Sequence, residues 1–263
     1  MNVLESIVLG IVQGATEFLP VSSSGHLVVG QRLLGLDLPG VAFEIAVHLG
    51  TLVSILWVYR ARVLALADGA VRGTRSAWDE IGLLVLATLP AAIIGVGFGD
   101  AIEGVFDTPA WAGVGFLVTG AILWSTRAPM NRGRRLPVTP TIALVVGLAQ
   151  ALALVPGISR SGTTVAAALW LGVAPVEAAA FSFLMALVAI AGAAVLAAPE
   201  LAAGGAGVGV GTVLAGAVAA GLTGIAAIHS FVALLRRQDF HRFTWYVVPL
   251  GLGFLLYLRL TAS

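Results

Sequence analysis

No cysteine occurs among the 263 residues. Disulfides, a thiolate nucleophile and Cys-ligated zinc or iron are therefore excluded, and redox compartment stays open. Lysine is also missing, so all 14 basic residues are arginines. Charge of either sign is scarce: 10% of the chain is charged and the net charge is +1, too near neutral to suggest a nucleic-acid partner. The start lacks the basic n-region and small-residue cleavage site of a signal peptide, and its apolar stretch carries Gln13 and Glu17, so the chain is expected to begin as mature protein. What is abundant is apolar surface, at 59% hydrophobic residues and a mean hydropathy of +1.02. These values exceed those of a soluble domain and point to a polytopic membrane protein.

Six stretches are long and apolar enough to span a bilayer, at about 41–59, 81–99, 109–126, 176–198, 208–234 and 244–260. Two further regions, 3–33 and 140–172, are apolar but broken, the first by Pro20 and three serines, the second by Pro156, Gly157 and Ser159 to Ser161. Each reads as helix, turn, helix, a form suited to a re-entrant hairpin. Arginine clusters place three loops inside: Arg60, Arg62, Arg72 and Arg75; Arg127, Arg132, Arg134 and Arg135; Arg236, Arg237 and Arg242. The loops with Asp100, Glu103 and Asp107 and with Glu200 fall outside. Residue 40 is then outside and residue 139 inside, so the two hairpins enter from opposite faces. The expected fold is an all-α membrane domain, 1–263, of six transmembrane helices plus two re-entrant hairpins, built as two inverted repeats of about 1–135 and 136–263. Trp57, Trp124, Trp245 and Tyr257 fall near span ends, as interfacial anchors do, and the Gly and Ala richness of 202–227 suits close helix packing.

The repeat is visible in the polar residues. Gln13, Glu17, Ser22, Ser23, Ser24, Gly25 and His26 align without a gap, 137 residues apart, with Gln150, Leu154, Ser159, Arg160, Ser161, Gly162 and Thr163. Gln meets Gln and Ser-x-Ser-Gly meets Ser-x-Ser-Gly; the acid and the imidazole belong to one copy, the guanidinium to the other. A carboxylate at the centre of a membrane helix costs about 2.5–3.5 kcal/mol on insertion scales, so function is its default explanation. Gln13 and Glu17, four apart, project from one helix face and could hold a hard cation or a water. The serine turn opens a helix, where free N–H groups and hydroxyls of Ser22 and Ser23 face an anion such as phosphate; simple N-capping is the structural alternative. His26, three residues after Ser23, could move a proton. Arg160 can fork a phosphoryl group or pair with Glu17. Thr164 could add a hydroxyl to the same face or bond its own helix. Glu44 and His48, four apart, could support the site or form an internal pair. Glu177, at a span's start, suits the helix N-terminus.

These two segments resemble the paired signature motifs of the undecaprenyl-diphosphate phosphatase family, also called bacitracin-resistance proteins, and the likeness extends over the chain in length and span count. The resemblance implies hydrolysis of undecaprenyl diphosphate at the bacterial inner membrane, with the site facing outward and help from a divalent cation, magnesium or calcium. Together with the reading of the residues, in which Ser161 joins the motif positions, it assigns catalysis to Glu17, Ser23, His26 and Arg160, substrate binding to Gln13, Ser22, Gly25, Ser159, Ser161 and Thr164, and the metal to Glu17 and Gln13. Attack by Ser23 or by activated water stays open, as does a homodimer. The expected partners are a polyprenyl diphosphate lipid and the bilayer. A lipid-phosphate transporter is the rival reading, since inverted repeats with broken helices meeting at the midplane also build carriers. Type 2 phosphatidic acid phosphatases share Ser-Gly-His and Ser-Arg fragments but need a His where this chain has Ala166 and a Lys that it lacks.

Overall fold

A computed structural model describes residues 1–34, 40–130, 135–198 and 209–261. Arg132, Arg134 and Glu200 lie outside the described residues, as does the segment 35–39, and nothing is described of the Asp100 and Glu103 side chains. The chain forms α1 (Val3–Phe18), α2 (Ser23–Leu34), α3 (Gly40–Val58), α4 (Arg60–Val71), α5 (Arg75–Gly97), α6 (Gly99–Phe106) and α7 (Ala110–Ser125). It continues with α8 (Arg127–Met130), α9 (Pro140–Leu152), α10 (Arg160–Trp170), α11 (Pro175–Leu196), α12 (Val210–Arg236), a 3-10 turn (Phe240–Phe243) and α13 (Thr244–Thr261). Shifting the numbering by 137 lays α1, α2, α3, α5 and α7 over α9, α10, α11, α12 and α13.

Local chemistry sets the helix ends. Asn2 and Glu5 form a capping box at the start of α1, the Glu5 N–H donating to Asn2 Oδ1 at 2.9 Å. Leu19 is extended, as a residue before proline must be, and α1 stops there. Thr139 caps α9 and Pro140 occupies its first turn. At about 1.5 Å per residue, α1, α2, α9 and α10 reach about 16–24 Å, short of a hydrocarbon core of about 30 Å. α5, α11, α12 and the Phe240–Thr261 stretch are long and apolar enough to cross it. α3 meets α4 at an 81° bend, and that pair would make a fifth span; α7 and α9 are shorter apolar helices. The protein is thus an all-helical, multi-pass membrane protein.

Two packings carry the short helices. α1 lies along α12, where Gly10 and Gly14 face the backbone of Gly216 and Ala220, and α9 lies along α5. At one end Ser6 donates to the Thr212 carbonyl at 2.5 Å, joining the start of α1 to the start of α12. At the other end Leu136 N–H donates to the Gly172 carbonyl at 3.0 Å and Leu136 bridges Val173, so α9 begins beside the place where α10 ends. Arg62 ties that end together: its Nη1 and Nη2 reach the two Glu177 oxygens at 3.0 and 2.6 Å and its Nε reaches Glu80 at 2.8 Å. Trp124, edge-on to Trp245, carries the Arg127 guanidinium 4.3 Å from its ring centroid. A core of apolar residues, among them Phe18, Phe116, Phe183 and Phe231, fills the space between the helices.

Candidate active site

The turns after α1 and α9 are built differently. In the first, Ser22 sits at φ +67°, a left-handed conformation that costs a residue with a Cβ about 1 kcal/mol. Its carbonyl accepts from His26 Nδ1 at 2.7 Å, and His26 Nε2 lies 2.8 Å from the Tyr246 hydroxyl. A carbonyl only accepts, so Nδ1 carries a proton, and in the neutral tautomer Nε2 accepts a hydrogen bond from the tyrosine O–H. His26 also stacks on Tyr246 and meets Phe116 edge-on. In the second turn the left-handed residue is Gly157, at φ +86°, where a Cβ would fall 2.1 Å from the Ala112 carbonyl oxygen. Thr119 fastens this turn, donating to the Gly157 carbonyl at 2.8 Å and accepting from the Ser159 N–H at 2.9 Å.

Glu17, 8% exposed, is where the turns meet. Its Oε2 accepts from Gln13 Nε2 at 2.9 Å and from the Ser23 hydroxyl at 2.6 Å; its Oε1 accepts from Arg160 Nη2 at 2.5 Å. His48 Nε2 stands 3.8 Å from Oε2, while its Nδ1 donates to the Glu44 carbonyl at 2.7 Å. Arg160 Nη1 is buried without a partner among the described residues. Breaking a buried pair such as Glu17–Arg160 by removing one partner costs about 3–5 kcal/mol, because the other charge is left uncompensated.

A cavity of about 390 Å³ opens on this cluster. Glu17, Ser22, Ser23, Ser24, Ser159 and Arg160 form its polar end. Ile45, Ala91 and a row on α11 (Ala189, Ile190, Ala193, Ala194) form an apolar wall, and Glu44 and His48 also line the cavity. Gln13, Gly25, His26, Ser161 and Thr164 are not part of the lining. Gln13 is buried, orienting Glu17, with Oε1 unpartnered among the described residues. A Cβ on Gly25 would fall 2.6 Å from the Phe116 ring, so glycine lets α2 close on α7. Ser161 donates to the Leu19 carbonyl at 3.0 Å and so joins the second turn to the first. Thr164 donates to the Arg160 carbonyl at 2.7 Å and lies 2.7 Å from Ser182 Oγ. His26 faces away from the lining. Tyr246, which positions it, and Thr119 were not singled out; each meets its partner across 220 and about 40 residues, a separation that carries no pattern.

Such a site suits an amphipathic anion: a guanidinium and hydroxyls for the charged head, an apolar wall for the tail, all within a membrane-embedded helical protein. Comparison with known proteins makes the class specific. The chain matches the family "Bacitracin resistance protein BacA" over residues 6–253 and belongs to that family. It is 40% identical to the undecaprenyl-diphosphatase of Desulfatibacillum aliphaticivorans over 95% of both chains. Identity to the protein of that name from Carboxydothermus hydrogenoformans is 41% over 97% of both chains. For that of Salinibacter ruber it is 42%, over 94% of this chain and 96% of the relative.

Proposed function

We propose that this protein hydrolyses undecaprenyl diphosphate to undecaprenyl phosphate and inorganic phosphate, recycling the carrier lipid for peptidoglycan synthesis and so conferring bacitracin resistance. The observation that carries the reading is the Glu17 carboxylate, which holds a hydroxyl from one turn on one oxygen and a guanidinium from the other turn on the second. Family membership and the undecaprenyl-diphosphatases at about 40% identity support it.

The chain is one membrane domain of two inverted repeats, with the two broken helix pairs re-entrant. α9 and α10 begin and end at the arginine-rich end, beside Leu136 and Val173, which supports entry from the cytoplasm. Ser6 ties the start of α1 to the opposite end of α12, which supports entry of the first pair from outside. The site then opens toward the outer face of the inner membrane, the prenyl tail lying along the α11 wall.

Ser23 Oγ attacks the terminal phosphorus and its proton passes to Glu17 Oε2, the hydrogen-bonded carboxylate oxygen. The bond from that phosphorus to the bridging oxygen breaks, undecaprenyl phosphate departs, and water then cleaves the phosphoserine to release phosphate. Arg160, anchored to Glu17 through Nη2, offers its free Nη1 to the phosphoryl oxygens and stabilises charge as it develops. His26, held by Ser22 and Tyr246, positions the turn and leaves proton transfer to Glu17. A divalent cation, magnesium or calcium, would be held by Glu17 and by the unpartnered Oε1 of Gln13, and would neutralise diphosphate charge. One carboxylate and one amide are few ligands, so diphosphate oxygens and water would have to complete its shell; among the described residues no group of three His, Asp or Glu is placed to cage an ion. Carriage of the lipid needs binding groups but gives the Ser23–Glu17 contact no use, and no observation favours it.

Phosphate release from farnesyl diphosphate by the purified protein tests the reading, with and without magnesium. Release by the parent should fall about 10²- to 10⁴-fold in Glu17→Gln. A folded parent that releases no phosphate sinks it, and an acid-quenched phosphoserine at residue 23, present or absent, decides between serine and water as nucleophile.

A further inference from the structure

Gln150 corresponds to Gln13 in the repeat, but the residue four places on is Leu154, where the first copy has Glu17. Gln13 spends its amide on that acid; Gln150 has none to bind. It is nonetheless 4% exposed and lines the cavity, and neither its Nε2 nor its Oε1 has a partner among the described residues. A buried amide without partners is costly, and an apolar side chain of similar size would not be. Each such group in a folded protein asks for an explanation, and a ligand supplies one. Arg160 Nη1 is a second buried donor without a partner, on the next helix, and Arg160 lines the same cavity. One neutral side chain from α9 and one charged side chain from α10, each with a buried donor to spare, thus line the cavity that Ser23 also lines. A tetrahedral oxyanion has acceptors for both.

We propose that Gln150 is a substrate-binding residue, donating its Nε2–H to a phosphoryl oxygen of the diphosphate while Oε1 accepts from water in the cavity. This rests on the phosphatase reading and adds a residue that binds the anion without belonging to either serine turn. The duplicated glutamine has therefore taken two tasks: in the first half it orients the acid, and in the second it reads the substrate.

The test compares the parent with Gln150→Leu, Gln150→Met and Gln150→Glu in two measurements: the rise in thermal midpoint produced by inorganic phosphate, and kcat/KM for farnesyl diphosphate. Both apolar variants should fold with a midpoint at or above the parent's, yet lose about tenfold in phosphate affinity and in kcat/KM. Gln150→Glu, which sets a carboxylate against the anion, should lose more than either. Parental phosphate affinity in any apolar variant that folds overturns the proposal. A parent that is stabilised by phosphate but hydrolyses nothing sinks the phosphatase reading alone, and the affinities still decide the place of Gln150.

Discussion

At matching places in the two turns, Ser22 accepts from the Gly25 N–H at 3.3 Å and Ser159 from the Gly162 N–H at 3.1 Å. Two residues further on, Ser24 Oγ stands 3.3 Å from Ser22 Oγ and Ser161 Oγ stands 3.2 Å from Ser159 Oγ. The hydroxyl scaffold is common to both halves. Between those serines the first turn carries Ser23 and the second Arg160, and the pair grips opposite oxygens of Glu17. Repetition supplies two helix starts aimed at one point; divergence at the middle position makes one a hydroxyl donor and the other a cation. Two copies of either turn would place like groups together and leave the carboxylate, the Ser23 hydroxyl or the guanidinium missing.

Substitutions at that middle position should have the largest effects. Ser23→Ala is expected to lower kcat about 10⁴-fold, since it removes the atom proposed to attack. Arg160→Lys keeps the charge but not the fork that reaches Glu17 through one nitrogen and the phosphoryl group through the other, and should cost about 10²- to 10³-fold. Phosphate release measured on both decides the division of labour: if Ser23→Ala kept more activity than Arg160→Lys, the chemistry would belong to an activated water and the serine would only bind.

Next come the devices that shape each turn. Gly157→Ala adds a methyl where φ is +86° and where the Ala112 carbonyl oxygen lies 2.1 Å from the new atom. Strain and overpacking together should cost about 2–4 kcal/mol, read as a fall in unfolding midpoint in detergent. On the other side Tyr246→Phe removes one hydrogen bond from His26, about 1 kcal/mol, and leaves the Nδ1 bond to Ser22 in place. A few-fold loss of activity with an unchanged pH profile fits a positioning role. A loss of about 10³-fold would instead make the imidazole a chemical participant and undo the assignment of the proton to Glu17.

Hydropathy and the repeat made the long helices legible: the expected 41–59, 109–126 and 244–260 compare with Gly40–Val58, Ala110–Ser125 and Thr244–Thr261. It did not reveal α4 or α6, or the first turns of α5, because a helix with polar faces has no apolar run to detect. Inside the site, Gln13, Glu17, Ser23 and Arg160 stood out as polar groups at helical or matched spacing, and they converge on one carboxylate. Ser161 and Thr164 shared the motif but turned to the Leu19 and Arg160 carbonyls, since a hydroxyl near a helix start satisfies backbone as readily as substrate. Gln150 was visible as a repeat partner, yet its lack of a partner emerges only once the fold buries it.

The smallest expected effect is also the one whose sign separates the turns. Ser22 is left-handed at φ +67°, whereas Ser159, at φ −73° and ψ 118°, is an ordinary extended cap. Ser22→Gly relieves about 1 kcal/mol of backbone strain. Against that stand the greater freedom of glycine in the unfolded chain and two long contacts of 3.3 Å. These terms nearly cancel, so stability should change by less than about 0.5 kcal/mol. Ser159→Gly has no strain to relieve and loses a cap bond of 3.1 Å, so every term points toward destabilisation, by about 1 kcal/mol. Unfolding midpoints of the two variants measured side by side should therefore differ in the order Ser22→Gly above Ser159→Gly. The reverse order would mean that His26 and Tyr246 do not hold Ser22 in its left-handed form, and that the two turns are alike in backbone as well as in hydroxyls.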